Sequence, residues 1–328
     1  MVGPRDASCS AIACLAVVFA CWGDGEQNAS EPPPAGSLAS VLDQIAPLDG
    51  GVFEEGEQES LLDEAFALVE LGANPNERSE SGTTLLFEAV VNGIDVERIG
   101  GLLEAGADPN ATVHQGMTPL MRAVGWIPVA DTYVELLVGH GADVRLEDDL
   151  GFAALEYALL PRSAMSTLET IESLMEAGAD VSHTDANGWT PLMHASRWAP
   201  VEAIRLLLAH GAEATAVSDD GWTAFSIALA SSEIDHWIGW VRNDPRMRGL
   251  PEEALGVYAT PLHSSSVGSG HVQRIEALLR FGRIDVAAED ARRDLHGLRA
   301  DWDEPLGKHV RELLDNPPAP EDPAAPNE

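Results

Sequence analysis

The stretch Ser264-Ser265-Ser266-Val267-Gly268-Ser269-Gly270-His271 brings hydroxyls, small residues and an imidazole together, the ingredients of acyl-transfer chemistry. It lacks the Gly-x-Ser-x-Gly order that would raise one serine on a strained elbow. A flexible turn between two helices is the simpler reading. The chain has no Gly-x-x-x-x-Gly-Lys phosphate cradle and no His-Glu-x-x-His metal pair. His140 and His210 each stand one residue before a recurring glycine, where a helix end favours a cation. They read as structural groups, although imidazoles in an acidic field can titrate near neutrality. Asp148-Asp149 and Asp219-Asp220 fall in polar loops and read as solvated turn residues that gather cations only weakly. The three cysteines, Cys9, Cys14 and Cys21, crowd the N-terminus, so the rest of the chain has no thiolate for catalysis, metal binding or a disulfide. No catalytic, cofactor-binding or metal-ligating set emerges, and the chain reads as a non-enzyme.

What must position these residues is a repeat. Gly72, Gly106, Gly141, Gly178 and Gly211 each sit in the phrase Leu-x-x-x-Gly-Ala, with gaps of 34, 35, 37 and 33 residues. A second glycine follows each by ten residues, at Gly82, Gly116, Gly151, Gly188 and Gly221. Self-similarity at this period marks a stacked array whose units cannot bury their apolar faces alone. Thr118-Pro119 and Thr190-Pro191 are helix starts, with threonine as N-cap and proline at the first helical position. A second helix per unit carries apolar residues at helical spacing, as in Val134, Leu137 and Val138, or Ile204, Leu207 and Leu208. It ends at a left-handed glycine. The polar run from Ala179 to Gly188 and its equivalents predict outward hairpin loops.

The phrases GMTPLMRA, GWTPLMHA and GWTAFSIA, each leading to a form of Leu-Leu-x-x-Gly-Ala-Asp, resemble the ankyrin repeat over roughly residues 60 to 282. The resemblance implies an all-α solenoid of helix pairs with short hairpin loops. Where the family carries the histidine of Thr-Pro-Leu-His, this chain has Phe87, Met121, Glu156, Met193 and Ser226; only Thr260-Pro261-Leu262-His263 restores it. The family's inter-repeat hydrogen bonds are therefore expected to be largely replaced by apolar packing. The residue after each second glycine, which in the family faces partners, is Thr83, Met117, Phe152, Trp189 or Trp222. Near the ends of the first helices lie Trp126 and Trp198. With Met117, the five large aromatics Trp126, Phe152, Trp189, Trp198 and Trp222 form two stripes on one face. Exposed, they would make a partner-binding surface, since tryptophan anchors interfaces and each ring buries about 150–250 Å². Packed on one another, they would replace the missing histidine network.

The N-terminal run Ile12 to Ala20, behind Arg5, is too short to span a membrane and suits a signal peptide over residues 1–20. Val18-Phe19-Ala20-Cys21 resembles a bacterial lipoprotein box, which would make Cys21 the acylated N-terminus. Residues 21–36, with Glu31-Pro32-Pro33-Pro34, read as an acidic, proline-rich linker. A repeat domain is expected over 37–315, with seven or eight units including caps. Leu38–Ile45 and Leu61–Leu71 read as an N-terminal cap, Val272–Phe281 as the second helix of a late unit, and Pro305–Leu314 as a closing helix. An insertion is expected near 243–258 and a disordered tail over 316–328.

The 54 acidic residues outnumber 19 basic ones, giving a formal net charge of −35. That balance excludes nucleic acid and anionic lipid surfaces as partners. Membrane contact would run only through an acyl chain. The expected function is a monomeric, exported, non-enzymatic recognition protein of a bacterial envelope, binding a protein partner, with a basic surface steered by acidic hairpin tips. A toxin-neutralising binder is one form of it. The rival is an envelope enzyme or metal-dependent module built from the insert and the Ser264–His271 turn.

Overall fold

The computed structural model describes residues 36–45, 57–126, 130–160, 168–229, 264–292 and 304–324. The regions read as signal peptide, linker and insertion lie outside them, apart from Gly36. Helices α1 (Leu38–Ile45) and α2 (Glu57–Glu70) pack as a pair at the N-terminal end. Four further pairs follow: α3 (Leu85–Val91) with α4 (Val96–Glu104), α5 (Pro119–Trp126) with α6 (Ala130–Gly139), α7 (Ala154–Leu159) with α8 (Leu168–Glu176), and α9 (Pro191–Trp198) with α10 (Val201–Ala209). After α11 (Ala224–Leu229) come α12 (Ser264–Phe281), α13 (Val286–Arg292) and α14 (Glu304–Asp315). The described residues contain helices and no strands.

First helices stack on first helices, in the order α3, α5, α7, α9, α11. Second helices form a parallel row, α4, α6, α8, α10, α12. The result is an all-α solenoid. A small residue keeps the first row close: Ala89, Ala123, Ala158, Ala195 and Ala228 each fall seven residues after their unit's second glycine and are buried. The two rows bury Leu86, Leu120, Leu155, Leu192 and Phe225 against Leu102, Leu137, Leu174, Leu207 and Leu278. Each such side chain contributes roughly 1.5–3 kcal/mol when fully removed from water.

The repeated phrase Leu-x-x-x-Gly-Ala has a local cause. In α4 the Gly106 N–H donates to Leu103 O at 3.0 Å and the Ala107 N–H to Leu102 O at 3.1 Å. That is a Schellman stop, which satisfies two carbonyls at the helix end and needs a left-handed residue, here Gly106 at φ +94°. The same pair of bonds recurs after Leu68, Leu137, Leu174 and Leu207. Four of the five first helices start on threonine: the side chains of Thr84, Thr118, Thr190 and Thr223 accept from Phe87, Met121, Met193 and Ser226 N–H, while α7 starts on Ala153.

Two segments differ from their expected structure. Ser264–His271 is no turn: it forms the first part of α12, which packs against both α10 and α11. Helix α12 thus takes the second-helix place in the unit opened by Gly221, not in a separate late unit. Val272, Ile275, Leu278 and Leu279, buried at helical spacing, outweigh the weak helix propensity of Gly268 and Gly270. The tail, expected to be disordered, lies largely exposed over Asn316–Ala324 but is tied to the second-helix row at Glu321 and Pro323. The Glu321 N–H donates to Arg280 O at 2.7 Å and Arg205 Nε to Pro323 O at 3.0 Å. Its prolines leave little backbone entropy to lose on docking.

Candidate functional site

The hairpins between units are built from a five-residue backbone loop. Asp185 N–H donates to Trp189 O at 3.0 Å, and Gly188 N–H to Asp185 O at 2.9 Å. Ser79, Val113, Asp148 and Ser218 make the same two bonds in their own units. Where the loop opens on aspartate, the carboxylate completes it. Asp185 Oδ1 accepts from Asn187 and Trp189 N–H at 2.8 and 2.9 Å. Asp148 Oδ1 accepts from Leu150 and Phe152 N–H at 2.8 and 2.9 Å. Asp148 is therefore buried and fully employed, not the solvated turn residue expected.

Successive tips are joined backbone to backbone. Asp149 N–H donates to Gln115 O at 2.9 Å, Ala186 N–H to Leu150 O at 2.9 Å, and Asp219 N–H to Asn187 O at 3.2 Å. The approach is close enough to require the second glycine. A Cβ on Gly188 would stand 2.9 Å from Asp219 N, and its φ of +73° already disfavours any other residue. This joined row exposes Asp149, Asp219 and Asp220 to solvent, and the preceding loop, outside these joining bonds, exposes Glu80.

Behind the tips runs a buried polar and aromatic seam. His194 Nε2 donates to Asp185 Oδ2 at 3.1 Å, and the Tyr157 hydroxyl donates to Asp148 Oδ2 at 2.6 Å. Both partners stand one residue beyond the family's histidine place. The network expected to be missing is thus partly rebuilt from the next position, which the alignment of phrases did not show. Phe152 packs edge-on against Tyr157 of its own unit and His194 of the next, with centroids 5.8 and 5.2 Å apart. Trp189 lies 5.3 Å from the same His194 ring.

These contacts overturn the exposed aromatic surface. Phe152 is 0% exposed, Trp189 8% and Trp222 9%. Phe152 and Trp189 share the His194 ring, Trp222 is buried in the core, and the exposed-anchor role for these three is withdrawn. Met117 is half-buried against the core. Trp126 and Trp198 are the last residues of α5 and α9, with side chains outside the described set; Cys21 is also outside it.

Two carboxylates in the seam are perturbed. Glu156 occupies the family's histidine place with no exposure; its Oε2 accepts from Ala153 N–H at 3.0 Å, while Oε1 has no hydrogen-bond partner. Burial raises its pKa to about 7, against the opposing pull of His183 and His194. Glu88, accepting from the Thr83 hydroxyl at 2.7 Å, is also pushed by burial to about 7, opposed by that bond and by Arg122. Burial pulls the His183 ring downward, but its 2.7 Å bond to Gly151 O and the charges of Glu156, Glu147 and Asp180 hold it above its ordinary value.

Among the described residues no group of three or more His, Cys, Asp or Glu is arranged to hold a metal. His140 and His210 each turn Nδ1 back to a last-turn carbonyl, Leu136 O at 2.8 Å and Leu206 O at 2.9 Å. With Ser264–His271 in a helix, the turn that the rival enzymatic reading needed is gone.

A sequence-family model described as ankyrin repeats (three copies) matches residues 155–237. The fold is an ankyrin-repeat solenoid. The same loop, Schellman stop and helix pair also recur N-terminal to the matched stretch, from Ser79 to Gly141. A comparison with curated protein sequences finds no match. Ankyrin repeats indicate a protein–protein interaction module, generally non-enzymatic, and a protein partner.

Proposed function

We propose that this chain is an exported, lipid-anchored recognition protein that holds a basic protein partner along its row of hairpin tips. The observation that carries the reading is the tip row itself. Backbone bonds between units fix the spacing of Asp149, Ala186 and Asp219, and Glu80, Asp149, Asp219 and Asp220 face solvent. A preorganised surface loses little entropy on binding. Its charge raises the encounter rate with a basic patch and sets a strong salt dependence. Nothing in this arrangement requires bond chemistry, so the proposed role is recognition.

The export reading rests on residues 1–21, with Cys21 as the acylated residue. No described helix is long and apolar enough to cross a membrane. The Pro-rich segment after Cys21 would then hold the solenoid off the bilayer surface.

The test is capture from a bacterial envelope extract by the full chain. Replacing Glu80, Asp149, Asp219 and Asp220 with Gln or Asn should abolish capture while leaving helical content intact. Capture that survives the four substitutions removes the tips from the proposal. Separately, mass analysis of the N-terminal peptide should show a lipid on Cys21 that Cys21→Ser eliminates.

A further inference from the structure

The second-helix row carries a different site, built from residues outside the tips. Basic residues are scarce in this chain, 19 against 54 acidic ones, yet Arg205 of α10 and Arg280 in the last turn of α12 lie at one place. The Arg205 guanidinium stands 5.2 Å over the Phe281 ring. Arg280 is oriented by Glu276, with Nη2 2.7 Å from Oε1. The end of α12 is seated tightly: a Cβ on the following Gly282 would meet Leu278 O at 2.6 Å and Ala214 Cβ at 3.0 Å. Both arginines are thus held by fixed elements.

The tail reads this place through two residues two positions apart. Glu321 is gripped at both ends by Arg280: its N–H donates to Arg280 O at 2.7 Å, and its Oε1 lies 3.2 Å from Arg280 Nη1. Pro323 presents its carbonyl to Arg205 Nε at 3.0 Å. The contacts require a carboxylate with its backbone N–H at one position and a backbone carbonyl two residues on, which a Glu-x-Pro segment supplies in an already extended form. Proline pre-extends the ligand and lowers the entropy lost on docking. The pattern occurs at two places in the chain, Glu321-Asp322-Pro323 and Glu31-Pro32-Pro33, both outside the repeats.

We infer that Arg205, Arg280 and Phe281 form a peptide-binding site for extended acidic Glu-x-Pro segments, which the chain's own C-terminal tail fills in cis. A segment of the same chemistry on another protein would compete with the tail for it. The tail would act as a built-in competitor, with an effective concentration set by the short tether from α14. None of the contacts that build this site involves a tip residue.

The test uses the full chain and a fluorescent peptide with the sequence of residues 316–328. Glu321→Lys places a cation against Arg280 and should release the tail, so the peptide should bind this variant about tenfold or more tighter than the unaltered chain. Adding Arg280→Glu to Glu321→Lys should restore the tail by charge exchange and eliminate peptide binding. Circular dichroism should be unchanged throughout, since Glu321 is exposed. Equal binding to the unaltered chain and Glu321→Lys, no binding to Glu321→Lys, or binding that survives Arg280→Glu would each overturn the proposal.

Discussion

Replacing Glu156 with Gln should change how the stability of the solenoid depends on pH. The carboxyl lies fully inside the seam, and burial takes its pKa from 4.5 to about 7. Below about pH 4.5 both folded and unfolded states hold the proton, and the group has no influence. As pH rises toward 7 the unfolded chain ionises while the folded one does not, so stability falls; above about pH 7 the loss is complete. A shift of about 2.5 units corresponds to about 3 kcal/mol, against total stabilities of roughly 5–15 kcal/mol. His183, raised in the fold, acts in the same direction: its contribution is present below its unfolded pKa and is lost as pH rises through the folded one. Urea unfolding at about pH 5 and about pH 8 should show the unaltered chain more stable in acid, with that difference reduced by about 3 kcal/mol in Glu156→Gln. A constant offset from the orphaned amide cancels in the comparison. An identical pH dependence in the two proteins would refute the assignment of a neutral buried carboxyl.

Further expectations follow from the seam and the tips. Glu88→Gln should also flatten the pH dependence, since its carboxyl is raised to about 7 by the same cause. Trp189→Ala should cost about 3–5 kcal/mol in urea unfolding, as loss of a buried ring does, whereas an exposed anchor would leave stability unchanged. Gly188→Ala and Gly211→Ala should each lose about 1 kcal/mol or more from left-handed backbone. Gly188→Ala should lose further, because its Cβ meets Asp219 N at 2.9 Å while Gly211 has open space around it.

The repeat period, the helix pairs and the loop positions were legible because backbone stops leave residue-specific marks. Gly211-Ala212 after Leu207 has one physical meaning, a Schellman end, and the sequence shows it directly. The direction of the aromatic residues was not legible. Trp189 follows a second glycine whether its ring faces a partner or His194, and only the three-dimensional packing decides between them. His194 was hidden for a related reason. It stands one place beyond the motif position, and its pairing with Asp185 spans nine residues through a loop. The site at Arg205 and Arg280 joins residues 75 apart to a tail whose composition reads as disorder. Composition reports the low entropy cost of extended proline but not the presence of a partner for it.

The central claim is that adjacent hairpin tips are locked to each other, so that the solenoid presents one rigid row. Hydrogen exchange on the full chain measures this at the three joining amides. The account predicts that the Asp149, Ala186 and Asp219 N–H groups are protected to a degree approaching the core amides of Tyr157 and Met193. Exchange at the rate of an unstructured chain would contradict it, since tips that open independently cannot form a preorganised surface.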